Sequence, residues 1–228
     1  MRLRHACFLL LGVAVGGASA KDEPAPATVV WSLAEPGRVG AMTPEVAGAP
    51  RALAEAEGGP GLRFDGVGDG LWLAVNPLAE HARFTVEVLI RPEADGPREQ
   101  RYFHVEDTAG SRVLLELRLL EAGRWCLDAF LKSGEGRLVL IDRAKTHAAG
   151  RWMWVALRYD GVTASAWVDG VPQGAGAVAF PAMREGRISL GVRMDRRSWY
   201  RGAIREVRIS REALPAERLQ RARPDGGR

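Results

Sequence analysis

The feature that most constrains this chain is a two-residue alternation of apolar and polar side chains, repeated in short segments. Phe84, Val86, Val88 and Ile90 alternate with polar neighbours, and residues 112–119 repeat the pattern. Such alternation predicts antiparallel strands with one buried face. No long segment has a helical period. The sequence therefore predicts an all-β fold, a two-sheet antiparallel β-sandwich.

About a dozen short strands are predicted, separated by Gly, Asp and Pro turn residues. They cover residues 28–33, 61–66, 71–75, 84–91, 102–106, 112–119, 125–131, 138–141, 152–159, 164–169, 188–192 and 203–209. The segments 61–66 and 71–75 are predicted to lie around a Gly/Asp turn. Residues 35–61 are rich in Gly, Pro and Ala and predict a long irregular loop or two short turns. Residues 213–222 predict a short helix.

The first twenty residues have the pattern of a secretory signal peptide. A basic start, Met1–His5, precedes an apolar stretch over 6–17 and the small residues Ala18-Ser19-Ala20. The apolar stretch is shorter than the roughly 20 residues that span a bilayer. We expect a secreted or periplasmic protein with no membrane span after cleavage. The expected organisation is a signal peptide over 1–20, a linker over 21–27, a domain over 28–214 and a basic tail over 215–228.

Cleavage would remove Cys7 and leave Cys126 as the one thiol of the mature chain. A domain with a single thiol has no internal disulfide, so its stability must come from a hydrophobic core. The position of Cys126 inside a strand favours a buried small side chain. An intermolecular disulfide or a reactive thiol is the alternative.

The charge composition says little about partners. The formal net charge is +4, from 32 basic and 28 acidic residues. The C-terminal stretch from Arg193 is richer in Arg and could meet an acidic polysaccharide or an anionic surface, although a solvated surface of mixed charge explains it as well. No zinc-finger spacing, helix-turn-helix pattern or RNP-like aromatic motif supports nucleic-acid binding.

Four phrases along the chain resemble laminin-G-like domains of the concanavalin A type. They are FDGVGD at 64–69, FTVE at 84–87 with Arg91-Pro92, RWMWVALRYDG at 151–161 with AWVDG at 166–170, and YRGAIREVRIS at 200–210 followed by Ala213-Leu214. The resemblance extends over residues 28–214. It implies that the sandwich is a concanavalin A-like jelly roll. It also implies a secreted or surface domain that binds glycans or proteins, sometimes through calcium. The chain departs from the family at Arg205, where many relatives carry an acid.

The first candidate ligand site is the polar face of three adjacent strands. Short connections predict that residues 101–107, 112–120 and 125–132 form an antiparallel meander with its apolar residues in the core. The opposite face would be concave and would present Tyr102, His104, Glu106, Glu116, Arg118, Asp128 and Phe130. Carboxylates and Arg hydrogen-bond sugar hydroxyls, and an aromatic ring stacks on a pyranose. An ordinary solvated sheet face is the alternative.

The second candidate site is the loop that contains Trp199, Tyr200 and Arg201. These aromatic residues stand among several Arg, which favours an anionic glycan. The beginning of the strand that carries Ile204 is an equally good interpretation. The Trp residues inside predicted strands are expected to pack in the core or on a sheet face.

Catalysis and metal binding have weaker support. Glycoside hydrolysis needs two suitably spaced carboxyl groups, and Glu106, Glu116 and Asp128 could supply them. The acid-x-acid strand motif of sandwich-fold glucanases is missing, and no catalytic residue is assigned. A lyase would need a Tyr or His base with an Arg, for which Tyr102, His104 and Arg118 are suitable types. Calcium is a candidate cofactor through Asp residues in turns, although turn formation alone explains each of them.

The sequence therefore predicts a secreted, non-catalytic binding module whose partner is a glycan or a cell-envelope polysaccharide. Two alternatives stay open: a small glycan-active hydrolase or lyase, and an envelope domain that binds another protein. A flat, exposed apolar patch in place of a polar groove would favour the latter.

Overall fold

A computed structural model describes residues 28–57 and 59–222 of the chain. The predicted signal peptide over 1–20, the linker over 21–27 and the last six residues of the tail lie outside the described residues. Within the described ranges, no helix is long and apolar enough to cross a membrane.

The described residues form strands and short 3₁₀ turns. The strands are β1 (Thr28–Ser32), β2 (Glu45–Ala47), β3 (Arg51–Ala52), β4 (Leu62–Asp65), β5 (Gly70–Leu73), β6 (Phe84–Pro92), β7 (Glu99–Asp107), β8 (Arg112–Leu119), β9 (Arg124–Ser133), β10 (Gly136–Ile141), β11 (His147–Ala148), β12 (Met153–Tyr159), β13 (Thr163–Val168), β14 (Val171–Ala177), β15 (Gly186–Leu190) and β16 (Arg201–Ser210). The 3₁₀ turns are Glu55–Glu57, Glu121–Gly123 and Ala216–Arg218.

The strands pair into two antiparallel sheets, which confirms the predicted sandwich. The first sheet has the order β14-β13-β12-β6-β16-β4-β3, with β1 also paired to β16. The second sheet has the order β10-β9-β8-β7-β15-β5-β2, with β11 also paired to β9. The predicted meander is present as β7, β8 and β9, which are hydrogen-bonded neighbours.

One hydrophobic core fills the space between the sheets. It takes alternate residues from strands of both sheets, for example Val86 and Val88 of β6 and Leu115 and Leu117 of β8, all fully buried. The alternation follows from the pleat, which sends successive side chains to opposite faces. Burying one set in this core therefore places the other set on the outside of the same sheet.

The C-terminal segment covers part of the outer face of the first sheet. Thr85 Oγ1 donates to the carbonyl of Glu212 over 2.8 Å, and the N–H of Gln220 donates to Glu87 Oε1 over 2.6 Å. Leu219 is buried against the sheet. Strand β6 is consequently buried on both faces, and not on one as its alternation suggested. The predicted helix over 213–222 is wrong, since these residues form a packed segment with one 3₁₀ turn.

Two further differences from the predicted strands concern the first half of the chain. The segments around 61–66 and 71–75 do not form a hairpin, because β4 belongs to the first sheet and β5 to the second. The stretch 35–61 is mostly irregular, as predicted, but contains the short strands β2 and β3. Strands β11 and β14 were also not predicted.

Gly191 follows β15 and starts the loop over 191–200 that returns the chain to β16. Its φ is +78°, and a Cβ there would lie 2.2 Å from Cδ1 of the buried Phe64 ring. Two backbone hydrogen bonds hold the turn, from the N–H of Gly191 to the carbonyl of Tyr102 and from the N–H of Tyr200 to the carbonyl of Gly191. The position therefore requires glycine for both its conformation and the space around it.

We expect Gly191→Ala to destabilise the protein more than Gly110→Ala. Gly110 has a similar φ of +82° but nothing within 4 Å of its virtual Cβ, so it isolates the backbone strain. Strain of about 1–2 kcal/mol is common to both changes, and the overlap with Phe64 should add about 1–3 kcal/mol. Denaturant unfolding of the two variants measures the difference. Equal losses of unfolding free energy in the two variants would show that the Phe64 ring can move aside without a cost in stability.

Candidate functional site

The predicted polar residues meet on the outer face of the second sheet. Cross-strand pairing places Glu116 of β8 directly opposite Asp128 of β9, and Leu114 opposite Phe130. Strand β10 adds Val139 opposite Phe130. Together with the loop over 191–200, these strands form a depression of about 300 Å³, hereafter the groove, lined by Arg101, Arg112, Leu114, Glu116, Arg118, Asp128, Phe130, Arg137, Val139 and Arg193.

One end of the groove is an ion-pair network on β7, β8 and β9. Arg118 is 2.5 Å from Asp128 Oδ2, 2.5 Å from Glu99 Oε2 and 3.4 Å from Glu116 Oε2. Arg101 Nε is 2.9 Å from Glu116 Oε2. Buried carboxylates are stable only when cations or donors compensate them. The two Arg side chains therefore hold Glu116 and Asp128 in fixed positions.

Burial raises the pKa of the Glu116 carboxyl to about 7, from its usual 4.5. Loss of hydration is the largest cause, Arg101 and Arg118 oppose the shift, and the adjacent Asp128 adds to it. The Glu116 side chain is only 6% exposed. It is therefore a carboxyl that changes charge near neutral pH inside the wall of the groove.

The apolar part of the groove is a short strip beside this network. It consists of Leu114, Phe130 and Val139, which stand side by side on β8, β9 and β10. The guanidinium of Arg137 lies over the Phe130 ring, 5.5 Å from its centroid. The strip can take the apolar side of a sugar ring, and the Arg and carboxylate groups around it can take hydroxyls.

The predicted face is wrong for Tyr102. A β-bulge interrupts the pairing of β7 with β8, so that Arg101 lies opposite Glu116 and Phe103 lies opposite Leu115. Tyr102 is the extra residue, and its ring is fully buried in the core, 5.6 Å from the ring of Tyr200. The bulge places Arg101 on the outer face instead. Strict alternation could not predict this exchange.

His104 and Glu106 lie beside the groove rather than inside it. His104 is buried under the loop over 191–200, where its Nδ1 accepts the N–H of Met194 over 2.9 Å. Its Nε2 is 3.3 Å from Glu106 Oε2. Burial lowers the pKa of His104, and the contact with His104 lowers the pKa of Glu106. Both residues line a second depression of about 310 Å³, next to the groove at Arg112 and Arg193.

The second predicted site, at Trp199, Tyr200 and Arg201, does not form an exposed platform. Tyr200 is fully buried, and Trp199 packs edge-on against Trp72 with ring centroids 6.3 Å apart. The Arg201 guanidinium is held by Asp95 over 2.7 and 2.8 Å. The loop lies against the second sheet, where Arg101 donates to Ser198 Oγ over 2.7 Å. The loop therefore contributes a wall to the first site.

Several groove residues were not among the predicted site residues. Arg112 and Leu114 follow the same alternation as Glu116 and Arg118, so the pattern of β8 contained them. Arg137 and Val139 require knowledge that β10 pairs with β9. Arg193 requires the loop position, for which the sequence contains no local indication. Arg205, where the family resemblance fails, lies elsewhere and stacks on Trp152, 4.2 Å from the ring centroid.

The turn Asp residues act as local hydrogen-bond acceptors. Asp65 Oδ1 accepts the N–H groups of Val67, Gly68 and Asp69 over 2.8–3.0 Å. Asp107 Oδ1 accepts two backbone N–H groups in the same way. Within residues 28–57 and 59–222, no group of three or more His, Cys, Asp or Glu side chains is arranged to hold a metal ion.

The two carboxyl groups in the groove share one guanidinium. Glu116 and Asp128 both contact the same Arg118 nitrogen, Nη2. A glycosidase must place a sugar between its two carboxyl groups, whereas a guanidinium fills that place here.

A larger depression of about 910 Å³ continues beyond Glu106 and Arg187 toward Asn76 and Glu80. Of the described residues that line it, none is aromatic. We therefore place the candidate site in the smaller groove, where Phe130 offers a ring.

Comparison with known proteins identifies the relatives of this fold. A family model for laminin G domains, described as the concanavalin A-like lectin/glucanases superfamily, matches residues 65–220. No curated protein sequence matches the chain.

Among solved structures, one similar chain is domain 4 of AbnA, a GH43 extracellular arabinanase from Geobacillus stearothermophilus, in complex with arabinotriose. It has 17% identity and a TM-score of 0.56, with 83% of this chain and 84% of that chain covered. Another is the ligand binding domain of botulinum neurotoxin serotype D in complex with N-acetylneuraminic acid, with 13% identity and a TM-score of 0.60. That alignment covers 84% of this chain and 49% of the toxin chain, so this chain spans about half of the toxin domain.

We expect Glu116→Gln to change how stability depends on pH. Because the folded protein binds the Glu116 proton more tightly than the unfolded chain, this carboxyl contributes fully below pH 4.5 and progressively less as the pH rises to about 7. The unfolding free energy of the unmodified protein should therefore fall relative to Glu116→Gln over this interval, by about 2–3 kcal/mol. Chemical denaturation at several pH values measures both curves. Parallel curves would contradict the raised pKa.

Proposed function

Because the chain belongs to the concanavalin A-like lectin/glucanases superfamily, we propose that it is a non-catalytic carbohydrate-binding module. The observation that carries the proposal is the groove, which combines an aromatic ring, guanidinium donors and carboxylate acceptors on one rigid sheet face. This is the combination of groups that recognises sugars, since a pyranose has an apolar side and a rim of hydroxyls.

The groove residues have separate roles in this proposal. Phe130 and the exposed Val139 form the apolar surface against which a sugar ring lies, beside the Arg137 guanidinium and above the buried Leu114. Arg137 is mostly exposed at the rim and can donate to hydroxyls. Glu116 and Asp128 are held by Arg101 and Arg118, so they shape the floor and accept hydrogen bonds without moving.

Two further facts support a glycan partner outside the cytoplasm. The similar arabinanase domain and the similar toxin domain were solved with arabinotriose and with N-acetylneuraminic acid, respectively. The N-terminal pattern of residues 1–20 is that of a secretory signal. The proposed protein is secreted or periplasmic and binds a glycan or a cell-envelope polysaccharide.

We expect a glycan array of residues 21–228 to give binding that depends on the Phe130 ring. Phe130→Leu keeps an apolar side chain and removes the ring, so affinity should fall about tenfold. Substitution of Glu116 or Arg118 is a poorer test, because it breaks the ion-pair network that holds the strands. Binding should be equal in calcium and in a chelator, since backbone N–H groups already occupy the turn carboxylates Asp65 and Asp107.

The control for this experiment is Val171→Ala. Val171 is 58% exposed, lies on β14 of the first sheet and is not among the residues that line the groove. It should bind as the unmodified protein does. Absence of binding to all neutral and acidic glycans on the array would overturn the proposal and would favour a protein partner. Equal binding by Phe130→Leu would place the glycan elsewhere on the domain.

A further inference from the structure

A row of basic side chains crosses the outer face of the second sheet beside the groove. In the strand register, Lys132 lies directly opposite Arg112 on one side and opposite Arg137 on the other. Glu106 lies opposite Arg112 on the far side, and Arg187 lies opposite Glu106. Five adjacent strands thus carry four cations and one acid in a single row.

These cations have less compensation than the neighbouring network, because Glu106 is the one acid that faces them, opposite Arg112 and Arg187. Among residues 28–57 and 59–222, no carboxylate lies within ion-pair distance of Arg112, Lys132, Arg137 or Arg187. The one acid of the row, Glu106, is already placed against His104 over 3.3 Å. Like charges directly opposite each other on a sheet destabilise it. The row is therefore an arrangement that an anion would stabilise.

Two of the cations have hydrogen-bond donors that no described residue uses. The Nε of Arg112 is buried and has no hydrogen-bond partner among the described residues. Arg137 is held by the Phe130 ring, 5.5 Å from its centroid, and no acid engages its guanidinium. A guanidinium stacked on a ring keeps its N–H edge free for a carboxylate, which it can bind through two parallel hydrogen bonds. Both residues line the groove.

We propose that the ligand of the groove is an acidic glycan whose carboxylate is bound by Arg112 and Arg137 while its ring lies along Phe130. The inference rests on the proposed function and specifies its ligand as a uronic acid. A glycan fits better than a nucleic acid, because the cations border a groove of about 300 Å³ and do not extend over a broad surface. A uronate presents the planar carboxylate and the apolar ring side together.

The test compares charged and uncharged forms of the same sugars. Oligomers of galacturonate, glucuronate and mannuronate are titrated calorimetrically into residues 21–228, each beside its methyl ester, which keeps the ring and removes the charge. At least one uronate should bind, and its methyl ester should bind at least tenfold more weakly. Arg112→Gln and Arg137→Gln should each lower uronate affinity about tenfold to a hundredfold. Arg112→Lys should recover part of the lost affinity, because lysine keeps the positive charge but cannot form the two parallel hydrogen bonds of a guanidinium.

A charge-matched control is Arg218→Gln. The Arg218 side chain is 58% exposed and belongs to the C-terminal segment on the other sheet, so uronate affinity should stay within about twofold. Thermal melting separates binding from structure. Removing one of several adjacent like charges should leave the melting temperature of Arg112→Gln and Arg137→Gln unchanged or higher, whereas a structural role would lower it.

The remaining outcomes distinguish this inference from the function on which it rests. Methyl esters that bind as well as uronates, with Phe130→Leu weakening both, would overturn the acidic ligand and leave the sugar site intact. Binding of sulfated sugars or of polyglutamate at equal strength would show a general polyanion surface and overturn the carboxylate assignment. Absence of binding to every charged and neutral sugar would overturn both proposals.

Discussion

The burial of one continuous core between two sheets is the constraint on which the rest of this structure depends. Because side chains alternate along a strand, fixing Leu115 and Leu117 inside fixes Leu114, Glu116 and Arg118 outside. The antiparallel register then decides which outer residues become neighbours. The groove is thus a consequence of core packing: its residues come from different strands and meet because their inward neighbours share one core.

The ion-pair network shows how polar groups are tolerated so close to that core. Glu116 and Asp128 are nearly buried and would be costly without compensation. Arg101 and Arg118 provide it, and Arg101 reaches its place only because the β-bulge turns Tyr102 inward. The compensation is incomplete for Glu116, whose pKa is raised to about 7. The bulge therefore links the packing of an aromatic core residue to the electrostatics of the groove.

The two-residue alternation of apolar and polar side chains was sufficient to predict the main strands and the meander. It also predicted that Glu116, Arg118 and Asp128 point outward, because this depends only on local alternation. It failed where non-local packing decides. Tyr102 turns inward at a bulge that the alternation of β7 does not reveal. Tyr200 is buried because the loop over 191–200 lies against the second sheet. Residues 213–222 lie along the first sheet because Leu219 is buried against it. The ligand roles of these predicted residues remain predictions.

On the outer face of the second sheet, paired and unpaired charges lie in different places, and this separation connects structure to function. Around Glu116, three carboxylates and two guanidinium groups engage each other at 2.5–3.4 Å, and they hold the strands in position. Two rows away, beyond Leu114 and Phe130, Arg112, Lys132 and Arg137 stand side by side. Of the described carboxylates only Glu106 faces this row, opposite Arg112 and beyond ion-pair distance. A face that needed only stability would distribute the acids evenly between the rows. Concentrating most of them around Glu116 keeps that part rigid and leaves the other part available to an external anion. The same sheet thus supplies both the frame and the unpaired charge of the proposed site.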